Sequence, residues 1–296
     1  MRKQFVNTVE SLFEVDEKIV LLLGDIGVFG FRNIFKKYKN RIYNIGILEQ
    51  TMISVASGLS KEGFHPVVHS IAPFVVERSL EQIKLDTSYQ SYPINIVSVG
   101  ASYDYAALGC SHHCPGDISS LLTVPSLNIF VPGCQLDFDA LFRQSYNSKF
   151  PNYFRLSENS HDIKVPTPKK GYASKIKNGS KGIIIAVGPM LKSVLLASVN
   201  LDVTILYYTS IIPFDKKIIK DNLVNIDKIS IVEPFYEGTI SHLVLDSIDL
   251  KPVSILNIGV LREFLTNYGK SKDHDEFLGL DPKNLKLKFN NFFNEK

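Results

Sequence analysis

The residues best placed to do chemistry fall in Gly46-Ile47-Leu48-Glu49-Gln50-Thr51-Met52. Glu49 comes directly after an apolar segment and a turn, so its carboxylate stands at the head of a helix. Ser54, Ala56, Ser57 and Gly58 follow it, and such small side chains let another helix come close. A carboxylate held there is partly desolvated and can share a proton with a ligand nitrogen. The same position also suits an ordinary first-turn glutamate stabilised by the helix dipole. A second segment, Gly109-Cys110-Ser111-His112-His113-Cys114, sets two imidazoles between two thiols. Residues so close in sequence can hardly direct four ligands tetrahedrally at one ion, so no metal site is expected in this chain. The plain alternative there is a polar loop with buried thiols. His69 stands at a predicted strand end, just before Ala72-Pro73-Phe74, and is a weaker candidate. His65, His161, His242 and His274 have nothing in the sequence to set them apart from surface histidines.

These residues need a scaffold, and the apolar runs supply one. Ile19-Val20-Leu21-Leu22-Leu23 ends at Gly24-Asp25, Arg41 to Ile45 precedes the helix that starts near Glu49, and Pro66-Val67-Val68-His69 precedes a helix over residues 75–89. Ile94 to Val99 and Leu127 to Val131 continue the series. Short buried strands alternating with helices imply a parallel sheet covered on both faces. Residues 158–180 lose the periodicity, with Pro166, Pro168, Gly171 and Gly179 among several lysines, and read as a linker. A second alternating unit follows, with strands expected at 181–187, 203–208, 228–232 and 253–257. The expected class is therefore α/β in two domains, each a mainly parallel sheet covered by helices. Their expected limits are residues 1–160 and 181–296, joined by a linker at 161–180. Ligands of such folds bind at the strand ends.

Composition narrows the function classes. The chain has 296 residues, of which 45% are apolar and 21% charged, as in a globular protein with sizeable cores. A net charge of +3 is too small to indicate a nucleic-acid or membrane surface. Three cysteines make no disulfide framework. No apolar stretch is long enough to span a bilayer, and no secretory segment follows the basic N-terminus; a cytoplasmic location is expected. The loop Gly24-Asp25-Ile26-Gly27-Val28-Phe29-Gly30 has its glycines at the wrong spacing for a dinucleotide fingerprint, and it is not a Walker loop.

Taken in order along the chain, these segments resemble the transketolase family. Gly46 to Met52 is similar to the "G-I-x-E-Q-x-M" element of its pyrimidine-binding domain, and Ile19 to Asp25 to its first strand with a terminal Asp. Phe74, Arg78 and Glu81-Gln82-Ile83 resemble its "F…R…EQI" helix, and Gly109 to His113 its "G-P-T-H-Q" loop. Ile229 to Glu233 and Gly279-Leu280-Asp281 are similar to its C-terminal domain. The resemblance implies an enzyme using thiamine diphosphate, in which Glu49 hydrogen-bonds N1′ of the aminopyrimidine and promotes loss of the thiazolium C2 proton. It implies that Phe74 stacks on the aminopyrimidine, although any single Phe also suits a core. Arg78, Gln82 and Asp25 are implied at the cofactor end. His112 is implied as the histidine facing substrate, with His113 in place of the family's Gln, both serving proton transfer. His69 and Arg155 are kept as substrate contacts, though an Arg ending a strand is also a common structural element.

Two departures from the family pattern carry further expectations. The only Gly-Asp pairs are Gly24-Asp25 and Gly116-Asp117, and neither is followed by Gly. The Gly-Asp-Gly and downstream Asn that hold the diphosphate's divalent ion are thus missing. The chain also begins where a pyrimidine domain would begin. A separate diphosphate-binding subunit carrying Mg2+ or a similar ion is expected, in an α2β2 assembly with the cofactor at the interface. Second, Arg155-Leu156-Ser157 is followed by Glu158, where many relatives place a basic residue thought to receive substrate phosphate. A carboxylate there repels phosphate. The expected reaction is ketol transfer with a sugar other than a simple pentose phosphate, in modified-sugar or polysaccharide synthesis. The competing readings are the β subunit of a 2-oxoacid dehydrogenase and a non-catalytic subunit of the same fold.

Overall fold

The computed structural model describes residues 1–248 and 251–294. Strands β1 (Ile19–Leu23), β2 (Ile42–Asn44), β3 (His65–Ile71), β4 (Asn95–Val99), β5 (Asn128–Phe130) and β6 (Asn152–Arg155) pair in parallel. The second half of the chain supplies β7 (Ser174–Lys177), β8 (Ile183–Val187), β9 (Thr204–Tyr208), β10 (Ser210–Ile212), β11 (Lys228–Tyr236) and β12 (Ser254–Val260). Two sheets result, ordered β10-β5-β6-β4-β3-β1-β2 and β12-β11-β8-β9-β7. Every residue of β1, β4, β8 and β9 is buried, the signature of central strands covered on both faces. The expected α/β class holds.

Two strands depart from the sequence reading. β7 lies inside the segment read as a linker and pairs antiparallel with β9; its half-buried Ser-Lys-Ile-Lys sequence has no apolar run to reveal an edge strand. β10 belongs by sequence to the second half, yet pairs antiparallel with β5 and closes the edge of the first sheet. The two halves therefore share a sheet.

Three cores follow from these layers. Phe5, Phe138, Phe142 and Phe154 pack under the helices Arg2–Phe13 and Gln135–Ser145 on one face of the first sheet. The other face, covered by the helix Glu49–Lys61, continues from Met52, Ile53 and Val68 to Ile183, Ile231 and Phe235 of the second sheet without a break. Phe289, Phe293 and Leu191 cover the far side of the second sheet. Among the described residues, no helix is long and apolar enough to cross a membrane.

The halves are also fastened by polar groups. Asp137 Oδ2 accepts from the backbone N–H of Gly133 and Cys134 and from the Tyr207 hydroxyl, while His161 Nε2 lies 2.9 Å from that same hydroxyl. His161 and His274 are both buried, which corrects their reading as surface histidines. His161 lies in a segment without periodicity, whereas His274 stands four residues before Leu278, a helical spacing that puts both on the buried face.

Candidate functional site

β2 ends at Asn44, the chain turns at Gly46 (φ +83°), and the helix Glu49–Lys61 begins at the C-terminal edge of the first sheet. Asn44 organises this turn. Its Oδ1 accepts from the backbone N–H of Asp25 and Gly46, and its Nδ2 donates to Asp25 Oδ1. Asp25 itself is exposed, with φ +66°. Glu49 is fully buried. Its Oε1 accepts from Ser70 Oγ at 2.8 Å and its Oε2 from Arg78 Nη1 at 2.6 Å. A buried carboxylate persists when it is paired and hydrogen-bonded, and both conditions are met here.

The segment after β3 is not the regular helix that the spacing predicts over 75–89. Pro73–Glu77 and Ile83–Tyr89 are π-helical turns flanking the short helix Leu80–Gln82. Arg78 N–H donates to the Pro73 carbonyl, five residues back, and the widened turn sets the Arg78 guanidinium 4.4 Å over the Phe74 ring. π-turns often occur at functional sites. Gln82 is half-buried at the end of the short helix.

The histidine loop reaches the same place. Its neck is pinned by Cys114 N–H donating to the Ser102 carbonyl. A 3-10 turn at Cys110–His112 brings the His112 ring edge-on to Phe74 at 5.4 Å, and its Nδ1 lies 3.0 Å from Ser111 Oγ. His113 leaves that turn in an extended conformation (ψ 142°), so the two imidazoles diverge. Its ring is buried edge-on to His274 at 5.5 Å. Burial, then the neighbouring His274, lowers its pKa.

Glu49, Arg78, Phe74 and His112 thus form one continuous line of contacts. Asp25 is tied to that line through Asn44, on the turn that leads to Glu49. His113, His69 and Arg155 stand apart from it. His69 projects to the opposite face of the sheet, 4.7 Å from the Phe5 ring. Arg155 is buried and spent on protein partners: its Nε donates to Asp117 Oδ2 at 2.7 Å and its Nη2 to Ser102 Oγ at 2.8 Å. These contacts give Arg155 the structural role that the sequence also offered, while its side chain lines a cavity together with Ser157 and Glu158. Sequence reasoning missed Ser70 and Asn44. Ser70 directly precedes Ile71-Ala72-Pro73-Phe74, and Asn44 ends an apolar strand just before the Glu49 motif, so position alone offered a signal.

A buried aspartate lies at the base of the same loop. Asp104 accepts from Ala101 N–H, Glu158 N–H and Ser157 Oγ, and burial pushes its pKa up to about 7. The folded state then holds a proton that the unfolded chain releases near the ordinary value of 3.8. Its contribution to stability is full below that value and lost as pH rises through about 7. Melting temperature followed from acid to neutral pH should fall less steeply in Asp104→Asn than in the wild type. Parallel curves would remove Asp104 as the titrating group.

A buried glutamate, an arginine stacked on an aromatic ring, and a histidine loop thus stand together at the C-terminal end of a parallel sheet. Residues 1–162 match the family "Transketolase, pyrimidine binding domain", and the chain belongs to that family. It is similar to an "Uncharacterized 33.6 kDa protein in fasciation locus" of Rhodococcoides fascians, 39% identical over 97% of this chain and 93% of the relative. An apulose-4-phosphate transketolase subunit from Phocaeicola vulgatus is 27% identical over 96% of this chain and 94% of its own. In fold it matches a "Split gene transketolase, inactive beta4 tetramer" with a TM-score of 0.86, at 22% identity, covering 99% of this chain and 97% of that one.

Proposed function

We propose that this chain is the pyrimidine-binding subunit of a split thiamine-diphosphate-dependent transketolase, working in the cytoplasm. With a separate diphosphate-binding subunit, in an α2β2 assembly, it would transfer a two-carbon ketol unit between sugars. The observation that carries this reading is the fully buried Glu49 carboxylate, held by Ser70 and Arg78 beside Phe74. These residues fit the aminopyrimidine: a fixed carboxylate for a ring nitrogen and an aromatic surface to stack on. Thiamine diphosphate, when bound, supplies the electron sink for carbon–carbon bond cleavage. Glu49 would hold a proton at a ring nitrogen of the bound pyrimidine, its carboxyl oriented by Ser70 and Arg78. Phe74 positions the ring, with Arg78 and Gln82 on the segment that shapes that end. Asp25 sits on the turn leading to Glu49 and would lie near the pyrimidine or the partner. The divalent ion and the diphosphate belong to the partner, since no Gly-Asp-Gly is present here.

His112 is the proton-transfer residue on this reading, because it stands against Phe74 whereas His113 turns inward to His274. His112→Asn should lower turnover by roughly 10²-fold or more with assembly unchanged. An equal loss on His113→Gln, with normal folding, would count against this division of roles. The two domains are assigned to residues 1–160 and 181–296, with β7 of the segment between them completing the second sheet and the second domain building the assembly. A relative named for apulose 4-phosphate supports sugar chemistry. The exposed Glu158 argues for an acceptor other than a simple pentose phosphate.

The test is reconstitution with a partner carrying Gly-Asp-Gly, in the presence of thiamine diphosphate and Mg2+. Ketol transfer by the pair, with none by either chain alone, is the expected result. Decarboxylation of 2-oxoacids without ketol transfer would assign the 2-oxoacid dehydrogenase reading instead. No activity from a correctly assembled pair would point to a non-catalytic subunit.

A further inference from the structure

The histidine loop is tied at both ends to the second half of the chain. Tyr103 stands at its neck, beside Ser102, and its ring packs into the core on the far side of the second sheet with Leu265, Leu278 and Leu280. Among the described residues it is the only buried member of that core from before residue 160. Its hydroxyl donates at 2.5 Å to Oδ1 of Asp275, on the helix Ser271–Leu278. At the exit of the loop, the Tyr236 N–H of β11 donates to the Pro115 carbonyl at 3.0 Å.

Two further contacts reach the turn that carries His112 itself. Gly109 caps the 3-10 turn Cys110–His112 and has φ +72°. A Cβ there would stand 2.8 Å from Cε1 of Tyr268, so the Tyr268 ring lies directly against the backbone that starts the turn. The His112 N–H donates back to the Gly109 carbonyl at 3.0 Å, which ties the orientation of His112 to that backbone. On the other side, the His113 ring stands edge-on to His274 at 5.5 Å, and His274 in turn lies 5.2 Å from Tyr103. His274 is buried, and its Nε2 has no hydrogen-bond partner among the described residues, so its contact with His113 is made by the ring surface. Burial lowers the pKa of both imidazoles, which lets them pack as uncharged rings near neutral pH. Tyr268 and His274 therefore grip residues on either side of His112.

We propose that Tyr268 and His274 are positioning residues for His112, so that the second domain sets the angle of the substrate-facing imidazole as well as building the assembly. A displacement of about 1 Å in a catalytic group can cost about 10²-fold in rate. His112 shares its turn with Gly109 and its peptide bond with His113, so a loosening at either is passed directly to it. The catalytic part of this proposal rests on the reading of His112 as the proton-transfer residue, whereas the restraint on the loop does not.

Hydrogen exchange of the full chain, without its partner, measures the restraint. His274→Ala should speed exchange of the amides of residues 110–113 by about tenfold or more, with that of the helix Glu49–Lys61 unchanged. In the reconstituted pair the same variant should lower kcat by about tenfold or more and leave KM within about twofold. His274→Phe keeps a ring against His113 and Tyr103 and should rescue both readouts, since no hydrogen bond of Nε2 is lost. Tyr268 is 71% exposed, so Tyr268→Ala should speed exchange and lower kcat with the melting temperature unchanged, even where His274→Ala fails to fold. Unchanged exchange at 110–113 in Tyr268→Ala would overturn the proposal. Faster exchange with wild-type kcat would overturn it too, by making these contacts structural only. A wild-type pair without ketol transfer would remove the catalytic part together with the reading of His112, whereas slow exchange in every variant of an active pair removes this proposal alone.

Discussion

Replacing Glu49 by glutamine is expected to lower ketol transfer by the reconstituted complex by roughly 10³-fold while leaving the subunits assembled. Glutamine keeps the volume and an oxygen for Ser70, so the helix start and its packing against β3 should persist. What it loses is the negative charge and the capacity to hold a proton at a ligand nitrogen. Its amide nitrogen also faces Arg78 as a donor facing a donor, so the arginine is released. Arg78 is 37% exposed and can turn to solvent, which keeps the stability cost within about 1 kcal/mol. Activity, size-exclusion profile and melting temperature together separate the outcomes. Near wild-type turnover would sink the assignment of Glu49, whereas loss of assembly would make it a structural residue. Only lost turnover in an intact complex agrees with proton transfer through this carboxylate.

The sequence carried the parallel sheets well, because buried strands such as Ile19-Val20-Leu21-Leu22-Leu23 are apolar without interruption. It carried β7 and β10 poorly. One is a half-polar edge strand, and the other is three residues long and is defined by a partner about eighty residues earlier. The same contrast runs through the site. Glu49 was legible because its position at a helix head follows from local pattern, and the helix does begin there. Ser70 and Arg78 as its partners were not, since those contacts depend on β3 lying beside the helix and on a π-turn that no spacing rule encodes. His112 and His113 are neighbours in sequence, yet a 3-10 turn sends one to Phe74 and the other to His274. Adjacent residues share a loop, and the end of a turn decides which way each side chain faces.

Arg155→Met is expected to destabilise the protein by about 3–5 kcal/mol, the cost of leaving a buried carboxylate without its counter-charge. The charges concerned are almost wholly shielded, with Arg155 1% and Asp117 0% exposed. Tyr153 and the Ile118 N–H still donate to Asp117, so the carboxylate keeps hydrogen bonds but loses the only cation in contact with it among the described residues. Asp117→Asn added to Arg155→Met should recover part of the loss, and a coupling of about 1–3 kcal/mol from denaturant unfolding of the four proteins would identify the pair. Arg155 also reaches Ser102 Oγ, whose hydroxyl donates in turn to the Pro234 carbonyl, so one side chain joins the neck of the histidine loop to β11. Kinetics separate this strut from a substrate contact. A contact would raise KM in a protein of unchanged stability, whereas a strut lowers stability and leaves KM of the folded fraction near its original value. A large rise in KM with an unaltered unfolding curve would return Arg155 to the substrate.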